Sequence, residues 1–208
     1  MTTVIVVKKA GRAVICADTL ASYGGARETE AFIETSSKIV RVDDTFLAPT
    51  GPAAMQLVIT SYFSDPDVPR DFSSPLGIFE TMREMHRVLK DDYGLNPKED
   101  AADPFESLQT EILVCSPMGI FGVYPLRSVQ EYKRFYAFGS GAEYALGAMH
   151  SVFEYLDNPE DIAIAGVEAG ATFDEASGLP YTLHSIELSP LANKTPALGA
   201  GRRRQFEF

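Results

Sequence analysis

The sequence predicts an α+β fold, because its predicted strands and helices come in blocks and do not alternate. Two strand hairpins come first, two helices follow, and three strands, two further helices and a closing strand complete the order. The 208 residues are enough for one sizeable core, so we expect one domain over 1–190 and a flexible tail over 191–208. The tail contains three consecutive arginines and shows no apolar periodicity.

Two pairs of short apolar runs predict the hairpins. Residues 4–8 and 13–17 are rich in β-branched side chains and are separated by a turn that contains Gly11. Both runs are apolar at nearly every position, which predicts strands that are covered on both faces. The runs KIVRV and TFLAP form the second hairpin, and the segment 18–37 between the hairpins is predicted as loop with a short strand.

Helical signals cover residues 52–63, 75–90, 142–156 and 159–176. Ser74 and Asn158 are predicted N-caps, each followed by proline at the first helical position. The sequence SGAE predicts a capping box, in which Ser140 accepts from the amide of Glu143 and the Glu143 side chain reaches back. Gly178 is expected to end the fourth helix at its C′ position.

Charge and motif content exclude several classes of function. The net charge of −11 repels nucleic acid and anionic lipid, so neither nucleic acid nor membrane is an expected partner. No run approaches the roughly 20 apolar residues of a membrane span and no secretory signal opens the chain, so a cytoplasmic location is expected. The histidines fit no zinc pattern and no GxxxxGK[ST] motif occurs, so neither metal nor cofactor is expected.

The start of the chain carries the strongest chemical signal. Thr2 directly precedes an apolar strand, and the small residue after Met1 permits methionine removal. A threonine hydroxyl is a poor nucleophile without a base, but an N-terminal threonine carries its own α-amine, whose pKa of about 7.7 to 8.0 suits proton transfer at neutral pH. Many proteins begin Met-Thr, so this feature alone does not identify an enzyme.

Five stretches in order resemble the proteasome β subunits and the related bacterial peptidase HslV, and a bacterial proteasome homologue most of all. They are TTVIVVKKAGRAVICADTLASYGG, SSKIVRV, TFLAPTGPAA, FGSGAEYALGAM and FDEASG. The resemblance covers residues 2–188. It implies a four-layer αββα sandwich, in which two antiparallel sheets lie face to face with helices outside. No propeptide is expected before Thr2, so Met1 removal alone would complete maturation.

The resemblance also implies roles for individual residues. Thr2 would be the nucleophile and its α-amine the base, and an ammonium from Lys38 would stabilise the alkoxide and keep the amine neutral. Asp18 would orient Lys38 and keep it charged. The N–H of Gly51, at a helix start, would donate to the oxyanion. Further residues would hold the chain end or bind substrate: Ser140, Asp174 and Ser177 in the first group, Ala21 and Pro49 in the second.

Each of these residues also has a purely structural interpretation. Lys38 can be a charge at a strand end, Asp18 a turn residue and Gly51 a helix entry; Ser140 can be a plain N-cap, and Asp174 and Ser177 can terminate a helix. The sequence also departs from the family pattern. Lys38 comes four residues later than usual because RETEAFIETSS is longer, which alters the loop beside the substrate channel.

The function implied is a threonine-type endopeptidase that degrades unfolded polypeptides inside a homo-oligomeric double ring of six or seven subunits per ring. An ATP-dependent unfoldase is a possible partner. Two alternatives stay open: an N-terminal nucleophile amidohydrolase for small amides, and a non-catalytic ring-scaffold subunit that keeps Met1. The sequence leaves undecided the cleavage preference, the ring size, the unfoldase, the role of the tail and the removal of Met1.

Overall fold

Two antiparallel sheets, a small two-stranded hairpin and four helices make up the residues that a computed structural model describes, 2–23, 25–96 and 102–192. The strands are β1 (Thr3–Lys9), β2 (Arg12–Asp18), β3 (Ala21–Tyr23), β4 (Ala26–Glu28), β5 (Val40–Val42), β6 (Thr45–Pro49), β7 (Ile112–Ser116), β8 (Gly119–Val123), β9 (Val129–Tyr132), β10 (Phe135–Gly139) and β11 (Tyr181–Glu187). The helices are α1 (Ala54–Ser64), α2 (Pro75–Asp91), α3 (Ala142–Val152) and α4 (Pro159–Phe173).

The first hairpin lies in the middle of one sheet. Strand order in this sheet is β10-β1-β2-β11, and the other sheet runs β5-β6-β7-β8-β9. Ala10 and Gly11 connect β1 to β2 with φ values of 51° and 77°, the left-handed pair that a tight two-residue hairpin turn requires. Strand β1 is therefore paired on both edges, with β10 and with β2.

Three apolar layers hold four layers of secondary structure together. Val4 and Val6 of β1 lie in the core between the two sheets, whereas Ile5 and Val7 pack against the helices α3 and α4. Alternate side chains of a strand point to opposite faces, so an apolar run at every position is what a strand between two layers needs. Helices α1 and α2 cover the outer face of the five-stranded sheet. The predicted α+β fold and αββα sandwich are confirmed.

Two of the predicted caps are confirmed and two helix-end predictions are wrong. The side chains of Ser74 and Asn158 accept from the amides of Gly77 and Glu160, both at 3.1 Å. The capping box does not form, because α3 begins after Gly141 and the Ser140 hydroxyl donates instead to a distant carboxylate.

The end of α4 also differs from the sequence prediction. The helix ends at Phe173, three residues before the predicted end, because the next residue, Asp174, has the extended angles φ −92° and ψ 121°. Gly178 is therefore not a C′ residue, and its N–H donates to the Asp18 carboxylate. Both differences have one cause. The Ser140 hydroxyl and the Gly178 N–H, which the sequence predicts in local helix caps, bond instead to residues that are distant in the chain.

Two strand predictions need revision and one part of the chain lies outside the structure. The segment predicted as loop with one short strand contains two, β3 and β4, which pair with each other. Strand β9 was not predicted; its middle residues are exposed at the edge of its sheet, so it lacks a long apolar run. Residues 193–208 are outside the described range, so the tail and the boundary at 190 stay predictions. Among the described helices, none has the length and apolarity to span a bilayer.

Candidate active site

Thr2 is anchored where β1 enters the sheet. It is buried, with 4% of its surface exposed, and its carbonyl oxygen faces the Ser140 hydroxyl at 3.4 Å and the Gly141 amide at 3.5 Å. The next residue, Thr3, already pairs with Gly139 of β10. The chain is thus held by main-chain pairing from the residue after Thr2 onward, so the Thr2 side chain has a defined position.

Asp18, the last residue of β2, is a fully buried carboxylate that gathers donors from four parts of the chain. Since a carboxylate accepts through two oxygens, it can join several elements at one point. Oδ1 accepts from the Thr2 hydroxyl (2.7 Å), the Thr3 amide (2.9 Å) and Lys38 Nζ (2.7 Å), and Oδ2 accepts from the amides of Leu20 (3.3 Å) and Gly178 (3.0 Å).

Lys38 lies just before β5 and reaches the same carboxylate oxygen as Thr2. Its side chain is only 15% exposed. Burial lowers the pKa of Lys38 below its ordinary value, and the Asp18 carboxylate offsets part of that effect. Thr2, Asp18 and Lys38, which the sequence predicts as one group, therefore do meet, with Asp18 Oδ1 as the shared atom.

A second polar group lies behind the chain end. Ser140 and Ser177 both donate to Asp174 Oδ2, each at 2.6 Å. Burial alone would raise the pKa of Asp174, but these two hydrogen bonds, together with one from the Ala176 backbone and the positive charge of the chain end, hold the pKa below its ordinary value. The three residues predicted to hold the terminus are thus joined through Asp174, and Ser140 also faces the Thr2 carbonyl.

Thr3 connects the group around Asp18 with the group around Asp174, and the sequence did not predict this role. Its amide donates to Asp18, and its hydroxyl lies 2.7 Å from the Ser177 hydroxyl. Thr3 is fully buried. The available signal was strand periodicity: Thr3 has the same parity as Ile5 and Val7, which face the helices, so its hydroxyl had to find a buried partner there.

Glycines allow the helices to approach this network. A Cβ added at Gly139 would lie 2.1 Å from the Thr2 carbonyl oxygen, and one at Gly141 would lie 2.0 Å from the Thr3 hydroxyl. A Cβ at Gly170 of α4 would come within 2.5 Å of the same hydroxyl. The glycines on either side of Ser140 therefore make room for the start of the chain, which explains the G-S-G spacing physically.

Gly51 lies in a turn before α1 and lines the same cavity as Thr2. Its φ is +92°, a conformation that favours glycine. The sequence predicts Gly51 at a helix start, but α1 begins at Ala54, so Gly51 lies three residues before the helix. No described residue accepts a hydrogen bond from the Gly51 N–H, so this donor is free for another acceptor.

A cavity of about 700 Å³ opens beside these groups. Its lining includes Thr2, Lys38 and Gly51, together with the two predicted substrate-binding residues, Ala21 and Pro49. The arrangement therefore offers a hydroxyl next to a cation, a free N–H donor and a space large enough for a side chain of a bound molecule.

Solved structures with the same fold were found for nearly the whole chain. Thiobacillus denitrificans BPH, a bacterial proteasome-like protein, is 41% identical, with 90% of this chain and 99% of that chain covered and a TM-score of 0.85. The chain belongs to the proteasome and HslV-like family of N-terminal nucleophile hydrolases. This confirms the resemblance stated from the sequence.

Two further structures share the fold. Thiobacillus denitrificans BPH in complex with epoxomicin gives 40% identity, coverage of 90% and 100%, and a TM-score of 0.84. Eukaryotic HslV from Trypanosoma brucei is 18% identical with a TM-score of 0.61, covering 89% of this chain and 99% of its own, and supports the fold alone. No family model matches the chain, and no curated protein sequence does.

Proposed function

We propose that this proteasome-like chain is a threonine-type endopeptidase, with Thr2 as its nucleophile after Met1 is removed. One observation carries the proposal: the Thr2 hydroxyl and the Lys38 ammonium bind the same oxygen of Asp18, at the edge of a cavity that both residues line. The family assignment supports it, and so does the complex of the Thiobacillus denitrificans relative with epoxomicin.

Activation of Thr2 requires a base within reach of its hydroxyl. Asp18 already accepts five hydrogen bonds, so its lone pairs are engaged. Removing Met1 creates a primary amine on the residue that bears the hydroxyl, and this amine takes the Oγ1 proton, directly or through water. The Lys38 ammonium stabilises the developing alkoxide and disfavours protonation of the nearby amine.

Cleavage then proceeds in two stages. Oγ1 forms a bond to the carbonyl carbon, and the oxyanion that results accepts from the free Gly51 N–H, a donor worth about 3 kcal/mol. The C–N bond breaks as the leaving amine takes the proton held by the Thr2 ammonium, which leaves an ester on Oγ1. Water attacks this ester and gives a proton to the Thr2 amine, and the proton returns to Oγ1 when the C–O bond breaks.

Thr2 needs a fixed position for these steps, and Ser140, Asp174 and Ser177 are proposed to supply it. They do not line the cavity; the two serines bond to Asp174, and Ser140 and Thr3 connect the group to the start of the chain. We assign them as positioning residues. Ala21 and Pro49 are proposed to contact the substrate side chain next to the scissile bond.

The physiological setting is proposed from the family. Subunits would assemble into a double ring of six or seven copies per ring and degrade unfolded polypeptides inside it, in the cytoplasm, with an ATP-dependent unfoldase as a possible partner. Residues 1–190 would form the catalytic domain, and 191–208 a flexible tail that is free for contacts with neighbours.

The experiment compares the wild type with Thr2→Ala, which still permits Met1 removal. Intact mass, light scattering and cleavage of fluorogenic peptides and of a permanently unfolded polypeptide are measured on both. The wild type should lack Met1, form a large oligomer and cleave both substrates, and Thr2→Ala should keep the oligomer and lose turnover by at least about 10³-fold. Epoxomicin should stop turnover of the wild type.

Two outcomes would favour the alternatives. A wild type that retains Met1, assembles and cleaves nothing is the non-catalytic scaffold subunit. A chain that hydrolyses small amides but no peptide longer than a few residues is the small-amide hydrolase. Full turnover by Thr2→Ala contradicts both enzyme proposals, since each needs the Thr2 hydroxyl.

A further inference from the structure

The cavity beside Thr2 contains one unpaired charge. Among the side chains that line it two are ionisable, Lys38 and Glu28. The Lys38 ammonium is held by Asp18. Glu28 forms no ion pair with any described residue, so its carboxylate is the net charge of the cavity wall.

The small hairpin fixes the place of Glu28. In the β3–β4 ladder Glu28 lies directly opposite Ala21, and both line the cavity. Directly opposite residues share a face of a two-stranded sheet, so the register that brings Ala21 to the cavity brings Glu28 there as well. The neighbouring Arg27 is on the other face, where its guanidinium donates to the Glu175 carbonyl at 2.7 Å. That cation is therefore engaged elsewhere.

The remaining lining suits a long side chain with a polar tip. Apolar wall is supplied by Ala21, Ile33, Pro49, Ala53 and Leu57, and hydrogen-bonding groups by Ser36, Gln56 and Thr60. A lysine or arginine side chain fits such a lining, because its methylene stem packs on apolar surface while its head needs acceptors and a counter-charge.

We propose that this cavity selects lysine or arginine on the carbonyl side of the scissile bond, with Glu28 as the counter-ion. The inference rests on the proposed function and names its substrate class. It also gives a role to the segment 27–37, which contributes Glu28, Ile33, Thr35 and Ser36 to the cavity. The overall charge of −11 also draws cationic peptides toward the protein.

The test uses fluorogenic peptides that differ only in the residue before the cleaved bond: arginine, lysine, leucine or glutamate. The wild type should cleave the arginine and lysine peptides with the highest kcat/KM. Glu28→Gln should lower kcat/KM for these two by about fivefold, the size expected for a solvent-accessible ion pair, and leave the leucine peptide within twofold. Glu30→Gln is the matched control, since Glu30 is exposed on the same loop but does not line the cavity.

Two readouts keep the result interpretable. Cleavage of the leucine peptide reports folding and catalysis in each variant, and a wild type that cleaves none of the four peptides would overturn the proposed function itself. In the wild type the preference for arginine over leucine should weaken between about 0.01 M and about 1 M salt, where the screening length falls from about 30 Å to about 3 Å. A wild type that prefers leucine, or equal arginine cleavage by Glu28→Gln and wild type, overturns the inference alone.

Discussion

The Thr3 hydroxyl oxygen lies 2.7 Å from the Ser177 hydroxyl oxygen, although the two residues are 174 positions apart in the chain. Ser177 uses its single hydroxyl proton on Asp174, so Thr3 is the donor of this bond. The amide of the same threonine donates to Asp18. One residue of β1 therefore links the group around the nucleophile to the group behind it.

Removing the Thr3 hydroxyl should loosen the start of the chain. Thr3→Val keeps the shape and the Asp18 bond but leaves Ser177 without its donor, and we expect a loss of about 1 to 2 kcal/mol of stability together with a lower kcat. Thr3→Ser is the control that keeps the hydroxyl. Thermal midpoints at one protein concentration and peptide turnover measure both effects. Equal behaviour of the two variants would contradict the role given to this bond.

Neutralising Asp18 should be far more costly than neutralising a surface carboxylate. Asp18→Asn leaves the Lys38 ammonium without its counter-charge and sets an amide NH₂ against groups that are themselves donors. We expect a loss of about 3 to 5 kcal/mol, the usual cost of breaking a buried ion pair. The control is Asp157→Asn, on the surface. Equal denaturant midpoints for Asp18→Asn and Asp157→Asn would show that Asp18 stabilises the fold no more than a surface carboxylate does.

The pH profile should report the buried lysine. The pKa of Lys38 lies below its ordinary value, so the cation is present at low pH and is lost as pH rises through that lowered pKa. Activity that needs the ammonium must therefore fall before pH reaches about 10.5, the value for an exposed lysine. Lys38→Arg keeps the charge throughout, so its kcat/KM should show no alkaline decline in this range. If kcat/KM of Lys38→Arg falls at alkaline pH as it does in the wild type, the decline belongs to another group.

Two glycines at one helix provide a matched steric test. Gly141→Ala puts a methyl group 2.0 Å from the Thr3 hydroxyl, so the start of α3 or of β1 must shift, and turnover and thermal midpoint should both fall. Gly147→Ala meets no atom within 4 Å and should stabilise α3 by about 0.5 to 1 kcal/mol without changing kcat. Unchanged turnover and thermal midpoint in Gly141→Ala would show that activity and stability do not depend on close packing around Thr3.

Local patterns predicted most of the fold because its layers impose them. The runs in β1 and β2 are apolar at nearly every position since helices cover one face and the second sheet covers the other. The capping box at Ser140 does not form because the Ser140 hydroxyl donates to Asp174, a carboxylate 34 residues away. No pattern in the sequence near Ser140 indicates such a contact. Strand β9 was missed because its middle residues are exposed at an edge.

The site was predictable where the family motifs mark it and not elsewhere. Asp18 and Lys38 were predicted to act together, and the structure brings both to one oxygen atom. Thr3 escaped notice because a threonine in a strand has no motif of its own; its importance comes from what lies opposite, Ser177 and the helix glycines. The position of Glu28 beside the cavity depends on the register of β3 with β4, and the sequence of so short a hairpin does not determine that register.

Trapping the acyl-enzyme tests the central claim most directly. A peptide ester that acylates quickly and hydrolyses slowly is mixed with the wild type, quenched in acid and analysed by intact and tandem mass spectrometry. We predict one acyl group per subunit, carried as an ester on the Thr2 hydroxyl of chains that have lost Met1, and no adduct on Thr2→Ala. Continued turnover with the acyl group on another residue, or with Met1 still attached to Thr2, would contradict the account.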